Sequence, residues 1–139
     1  MTFQDDGLDA IAAFVRGADR FVLTGHSPLD GDGLGSALGL CRSLRLAGKT
    51  AHVVSDAPVP SMLRWLPGAS EVVAWTPGAY TSDPRLADPQ ALLCFDSGDT
   101  SRLGGPHREL PRSAALVNVD HHVSNTGYGV LNWVEGDAP

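Results

Sequence analysis

The sequence predicts an α/β fold, a mostly parallel sheet flanked by helices, on three observations. Short apolar runs at 21–23, 51–55, 91–95 and 114–119 are separated by segments with helical spacing or turn composition. The runs are apolar at consecutive positions rather than alternate ones, as expected of strands covered on both faces. Polar, glycine-rich stretches follow the runs directly, as in strand–loop–helix units with parallel pairing.

In chain order, residues 6–20 read as a helix with Leu8, Ile11, Ala12, Phe14 and Val15 on one stripe. Residues 21–24 read as a buried strand. After a polar loop, Leu34, Leu38, Cys41 and Leu44 fall on one helical face, with Gly48 as the stop. Gly33, Gly35 and Gly39 lower the intrinsic propensity of that helix, and close packing onto the sheet would account for them. Residues 51–55 read as a strand, on which His52 has no neighbouring carboxylate and is read as a partly exposed structural histidine. The proline- and glycine-rich region 56–89 is expected to hold a short helix at Met62, Leu63, Trp65 and Leu66, a strand at 71–75, and an irregular connection over 76–89. The tryptophans are read as core or rim packing. Residues 91–95, 114–119 and 129–134 complete the strands. There is no internal repeat.

At 139 residues the chain suits one domain with a real core. Apolar residues make up 42% of it, yet no run nears the roughly 18 residues needed to span a bilayer. Met1-Thr2-Phe3-Gln4-Asp5-Asp6 is acidic and lacks the basic start of a signal peptide, so a cytoplasmic protein is expected, without membrane association. Cys41 and Cys94 sit in apolar surroundings without metal-type spacing and are read as core residues, not as a disulfide. A net charge of −6 disfavours duplex DNA as a partner. A small phosphorylated substrate remains compatible, because bound cations can invert the field of an acidic site.

The chemistry concentrates in loops. Gly25-His26-Ser27-Pro28-Leu29-Asp30-Gly31-Asp32-Gly33 holds an imidazole and two carboxylates as His-x-x-x-Asp-x-Asp. Alone it could be a polar surface turn. Two later loops carry the same chemistry: Asp96-Ser97-Gly98-Asp99 after one strand and Asp120-His121-His122 after another. Ligands of open parallel sheets bind outside the carboxyl ends of the strands, so the three loops are expected at one rim. Gathering these carboxylates without cations would be costly through repulsion and desolvation. A pair of divalent metals, typically about 3.5–4 Å apart, relieves that cost and suits phosphoryl displacement. The mixed carboxylate and imidazole set suits Mn²⁺, with Mg²⁺, Co²⁺ or Zn²⁺ as further candidates.

Together the three segments resemble the DHH phosphoesterase superfamily, named for the triplet found here as Asp120-His121-His122. The first motif matches as His26-x-x-x-Asp30-x-Asp32, the second as Cys94-Phe95-Asp96-Ser97-Gly98-Asp99-Thr100-Ser101-Arg102-Leu103-Gly104. The third continues as Val123-Ser124-Asn125-Thr126-Gly127-Tyr128-Gly129 into Leu131-Asn132-Trp133-Val134, and is most similar to the bacterial oligoribonuclease and 3'-phosphoadenosine 5'-phosphate phosphatase branch. The resemblance implies two divalent metal ions: His26 and Asp30 on the first, Asp32 and His121 on the second, and Asp96 on both. It implies His122 against the scissile phosphate, Asp120 as an orienting carboxylate, and Arg102 and Asn125 as either phosphate contacts or loop-bonding residues. Asp99 is read as a cap or turn residue. The implied activity is hydrolysis of short oligonucleotides or nucleotide phosphates by metal-activated water, with no protein nucleophile.

Members of that branch are about twice this length or more. Residues 1–139 are therefore expected to be the N-terminal catalytic domain, incomplete at its C-terminus, without the substrate-binding domain and with one carboxylate ligand missing. Weak second-metal binding, poor turnover by this stretch alone and a homodimer in the intact protein are the corresponding expectations. An inorganic pyrophosphatase of the same superfamily and a non-catalytic metal- or nucleotide-binding regulatory domain are the alternatives.

Overall fold

Arg20–Gly25 (β1) lies near the middle of a sheet whose strands are all parallel. In this computed structural model, which describes residues 5–138, Thr50–Ser55 (β2) and the two-residue Val73–Ala74 (β3) extend the sheet to one side. Ala91–Phe95 (β4), Ala115–Asp120 (β5) and Leu131–Val134 (β6) extend it to the other. The order is β3-β2-β1-β4-β5-β6. The chain thus reverses its direction of growth between β1 and β4, the crevice where parallel sheets bind ligands. Of the acidic start Met1-Thr2-Phe3-Gln4-Asp5-Asp6, the first four residues fall outside the described residues, as does Pro139.

Both faces of the sheet are covered, which is why the strands are apolar at consecutive positions. Phe21, Leu23, Ala51, Val53, Ala91, Leu93, Phe95 and Val117 pack with helices Gly7–Gly17 (α1) and Gly31–Leu46 (α2). The intervening residues Val22, Val54, Leu92 and Cys94 point to the opposite face. There they meet Ala79 and Tyr80 of Ala79–Ser82 (α3), Leu86 and Leu103. From α2, Leu34, Ala37, Cys41 and Leu44 enter the first core, each buried leucine contributing about 2 kcal/mol. Both cysteines are free and buried.

The sequence expectations fail where local chemistry overrides pattern. Helix α1 ends at Gly17 instead of residue 20, because the N–H groups of Asp19 and Arg20 are drawn to Gln90 Oε1 at the sheet's lower edge. Its other end is tied to the sheet: Asp6 N–H donates to the Asn132 carbonyl, and the Asp6 carboxylate accepts from Asn132 N–H. The expected helix around Met62 and Trp65 is only a 3₁₀ turn, Ser61–Leu63, and both side chains stand about three-quarters exposed (76% and 75%). Trp65 is therefore neither core nor rim packing, whereas Trp75 packs edge-on against Tyr80. Strand β3 is shorter than expected, since a 3₁₀ turn takes Ala69–Glu71. The connection 76–89 is not irregular throughout: it holds α3 and the 3₁₀ turn Pro84–Leu86, capped by Asp83. Close packing fails for Gly35 and Gly39, where an added Cβ would meet open space. Among the described residues, no helix is long and apolar enough to cross a membrane.

Candidate active site

The first loop is shaped by a close approach. A Cβ on Gly25 would lie 2.8 Å from Leu29 Cδ2 and 3.0 Å from the Phe95 carbonyl, so glycine lets β1 end this near β4 without displacing either. The chain then turns into α2, with Asp30 as N-cap: Oδ1 accepts from Gly33 N–H at 2.9 Å. Oδ2 lies 3.2 Å from His26 Nε2. The cap therefore fixes both the helix start and the carboxylate facing the imidazole.

Asp96 follows β4 and is nearly buried. Its φ of +59° is left-handed, a conformation that costs a non-glycine residue on the order of 1 kcal/mol and is concentrated at functional sites. The Asp96 N–H still donates to the Val119 carbonyl at 3.1 Å, so the turn happens at the last rung of the β4–β5 ladder. Its side chain is thereby placed between two imidazoles. Asp96 Oδ1 lies 2.8 Å from His121 Nε2, and Oδ2 lies 3.6 Å from His26 Nε2.

The third loop leaves β5 at Asp120. The buried Asp120 carboxylate lies 2.7 Å from His122 Nδ1 through Oδ1 and accepts from Asn125 Nδ2 at 2.7 Å through Oδ2. His122 Nδ1 is also 3.9 Å from Asp96 Oδ1. Asp32, in the first turn of α2, stands further out and mostly exposed, 3.9 Å from His121 Nε2. All seven residues named from the three motifs, His26, Asp30, Asp32, Asp96, Asp120, His121 and His122, thus gather at the rim above β1, β4 and β5.

Two clefts flank this cluster. One, about 200 Å³, is lined by Asp32, Ser36, Phe95, Val119, Trp133 and Glu135 beside Asp96 and His121. The other, about 400 Å³, is strongly polar and includes His26, Ser97, Asp99, Arg102, His122 and Ser124. Arg102 is exposed at its edge, in the 3₁₀ turn Thr100–Arg102 that Asp99 caps through Ser101 N–H. Asn125 lines neither cleft. It is buried, its Oδ1 accepts from Asn118 and Gly127, and its two N–H groups are taken up by Asp120, Asn118 and the Ser97 carbonyl. The sequence analysis gives Asn118, within a strand, and Asn132, within the third motif's continuation, no role of their own. The available signal was an amide inside an otherwise apolar strand, Leu116-Val117-Asn118-Val119.

The electrostatics fit a cation. Burial, and then the neighbouring Asp30 carboxylate, push the Asp96 carboxyl above its usual range, partly offset by His121. Burial acts on Asp30 in the same sense, but the Gly33 N–H, Asp96 and His26 outweigh it and hold Asp30 below its usual value. One carboxyl of the pair therefore resists ionisation beside the other, a cost that a bound cation would remove. Ligand atoms of His26, Asp30 and Asp96 lie within 4.8 Å of one another, as do those of Asp96, Asp120, His121 and His122. Asp96 belongs to both groups. His26 Nδ1 is buried with no hydrogen-bond partner among the described residues, so the ring's polar contacts lie on the Nε2 side, where Asp30 and Asp96 gather. Carboxylate oxygens with imidazole nitrogens are a donor set for divalent metals such as Mn²⁺, Mg²⁺, Co²⁺ or Zn²⁺.

The model of the DHH family, N-terminal domain, matches residues 20–139. The chain is 37% identical over 112 residues to the bifunctional oligoribonuclease and PAP phosphatase NrnA of Thermus thermophilus, covering 79% of this chain and 30% of that protein. Its fold matches the crystal structure of an exopolyphosphatase-related protein from Bacteroides fragilis at a TM-score of 0.81 and 22% identity, over 94% of this chain and 38% of that one. The chain thus spans about a third of the length of these relatives.

Proposed function

The chain belongs to the DHH family, and from this premise we propose that it is the catalytic domain of a metal-dependent phosphoesterase acting on short oligonucleotides or nucleotide phosphates. The observation that carries the proposal is Asp96: one buried, backbone-strained carboxylate shared between two groups of potential ligands from three separate loops. The name of the Thermus thermophilus relative supplies the substrate class.

In this reading His26 and Asp30 would hold one divalent cation, Asp32 and His121 a second, and Asp96 both. When bound, such cations supply Lewis acidity, lowering the pKa of an attacking water and balancing charge on the phosphate; Mn²⁺ is the proposed metal. The protein's own part is positioning. Asp120 accepts from His122 Nδ1–H, which leaves Nε2 for the substrate. With a second proton on Nε2, the ring donates to a phosphoryl oxygen, and passing that proton to the leaving oxygen returns it to the neutral Nδ1–H form. Arg102, at the edge of the polar cleft, is assigned to a phosphate oxygen. Asn125, with both ends of its amide engaged, is assigned to holding Asp120.

The test is a substrate panel on the whole protein with Mn²⁺: a dinucleotide, 3'-phosphoadenosine 5'-phosphate and inorganic pyrophosphate. Hydrolysis of either nucleotide well above pyrophosphate is expected. Preference for pyrophosphate would move the assignment to a pyrophosphatase, and metal binding without turnover of any of the three would make the domain regulatory.

A further inference from the structure

Behind Asp120 the sheet holds a chain of amides that the reaction as described does not use. Asn118 on β5 and Asn132 on β6 are register partners, buried at 0% and 4% exposure. Gly129 fixes the direction of the chain. Its N–H donates to Asn132 Oδ1 and its carbonyl accepts from Asn132 Nδ2, both at 2.9 Å. A backbone N–H and C=O cannot exchange roles, so the Asn132 amide cannot be turned over. Asn118 Nδ2 must therefore face Asn132 Oδ1, at 2.9 Å, and it also donates to Asn125 Oδ1 at 2.8 Å. The Gly127 N–H, 2.8 Å from the same oxygen, pins Asn125 in turn. Only then does Asn125 present Nδ2 to Asp120 Oδ2, leaving Asp120 Oδ1 for His122 Nδ1. Turning any one amide would set oxygen against oxygen in a buried site, where an unmade hydrogen bond costs the full desolvation of the group.

We propose that Asn118 and Asn132 are positioning residues for the hydrolysis, acting through Asn125 and Asp120 to hold His122 in the Nδ1–H form with Nε2 left for the substrate. This deepens the reading above and rests on it. Among the described residues, the side-chain hydrogen bonds of the two asparagines run to one another, to Asn125 and to Gly129. What they supply is a position: the Gly129 backbone fixes the amides, and Asn125 then holds Asp120 with Oδ1 facing an imidazole on a different loop.

The experiment uses the whole protein and the variants Asn118→Leu and Asn132→Leu, which keep side-chain volume and remove the amide. Two quantities are read: kcat and KM on 3'-phosphoadenosine 5'-phosphate with Mn²⁺, and the ring ¹⁵N shifts of His122 in the metal-free protein. The wild type is expected to show a single neutral ring form, with the proton on Nδ1. Each folded variant is expected to lose about 10- to 100-fold in kcat, the range for groups that orient others, with KM nearly unchanged. Its ring shifts should move toward a mixture of the two neutral forms. Unchanged kcat and ring shifts in a folded variant, a loss confined to KM, or unfolding of both variants would each overturn the proposal, the last by making the role structural only. A wild type without hydrolysis would instead overturn the functional reading, while the ring shifts, read without turnover, still judge the amide chain.

Discussion

His121 Nε2 lies 2.8 Å from Asp96 Oδ1 although 25 residues separate them in the chain. The contact joins the loop after β4 to the loop after β5, and Asp96 reaches through its other oxygen toward His26 after β1. One carboxylate thereby collects three loops, and the consequences of removing it are sharp.

Asp96→Asn keeps the side chain's shape and removes its charge. Mn²⁺ affinity should fall by at least about 100-fold, since a direct ligand matters at least as much as the groups that orient it. Titration calorimetry on the folded variant checks this. Wild-type affinity would show that Asp96 is not shared by metals.

His122→Ala removes the nitrogen assigned to the phosphate and leaves the Asp96–His121 contact in place. A kcat loss of about 10²- to 10⁴-fold is expected, the usual worth of a positioned acid–base group. Mn²⁺ affinity should change far less than in Asp96→Asn. Kinetics beside calorimetry separate the two; a loss of metal affinity as large as in Asp96→Asn would make His122 a ligand instead.

Arg102 is exposed at the edge of the polar cleft, and its carbonyl, not its side chain, holds the first loop by accepting from Ser27 N–H at 2.8 Å. Arg102→Ala should therefore leave the loop intact and raise KM by about 10-fold at low salt, with the gap narrowing at high salt as screening grows. KM measured across ionic strength decides it. No change at low salt would free Arg102 of a phosphate role.

Much of this was legible in the chain. Consecutive apolar runs reported a two-sided sheet, and the motif spacing reported His26, Asp30, Asp96 and Asp120 through His122 as one rim. Other features were not. The α1 terminus depends on Gln90, 70 residues from Arg20, which no local pattern encodes. Met62 and Trp65 look like core by composition, yet both stand about three-quarters exposed. The roles of Asn118 and Asn132 exist only once β5 and β6 lie side by side, because an amide's direction is set by partners distant in sequence.

Gly129 shows how tightly that last pair is built. An added Cβ would lie 2.5 Å from the Leu131 carbonyl and 2.9 Å from that of Leu116. Gly129→Ala should cost about 2–3 kcal/mol through overpacking against backbone that cannot yield. A urea denaturation midpoint near that of the wild type would show that the turn has room.

Acid should weaken the fold through two histidines away from the site. Burial, and then the Arg45 charge, hold His52 below its usual value of 6.5, reinforced by Arg85 and opposed by Asp83 and Glu71. Burial and Arg108 lower His107 likewise. For each, the unfolded chain binds the proton more readily. The contribution of these two histidines is therefore complete above about pH 6.5 and lost as pH falls through the window below it. His52→Gln should make the decline in urea midpoint between about pH 7 and pH 5 shallower. An equally steep decline would remove His52 from the account.

The central claim is that three loops hold divalent cations in common. A crystal structure of the whole protein grown with Mn²⁺, with an anomalous difference map, tests it most directly. Two peaks are expected, each within coordination distance of an Asp96 oxygen, one beside His26 and Asp30 and the other beside Asp32 and His121. Peaks that avoid Asp96, or none at the rim of β1, β4 and β5, would contradict it.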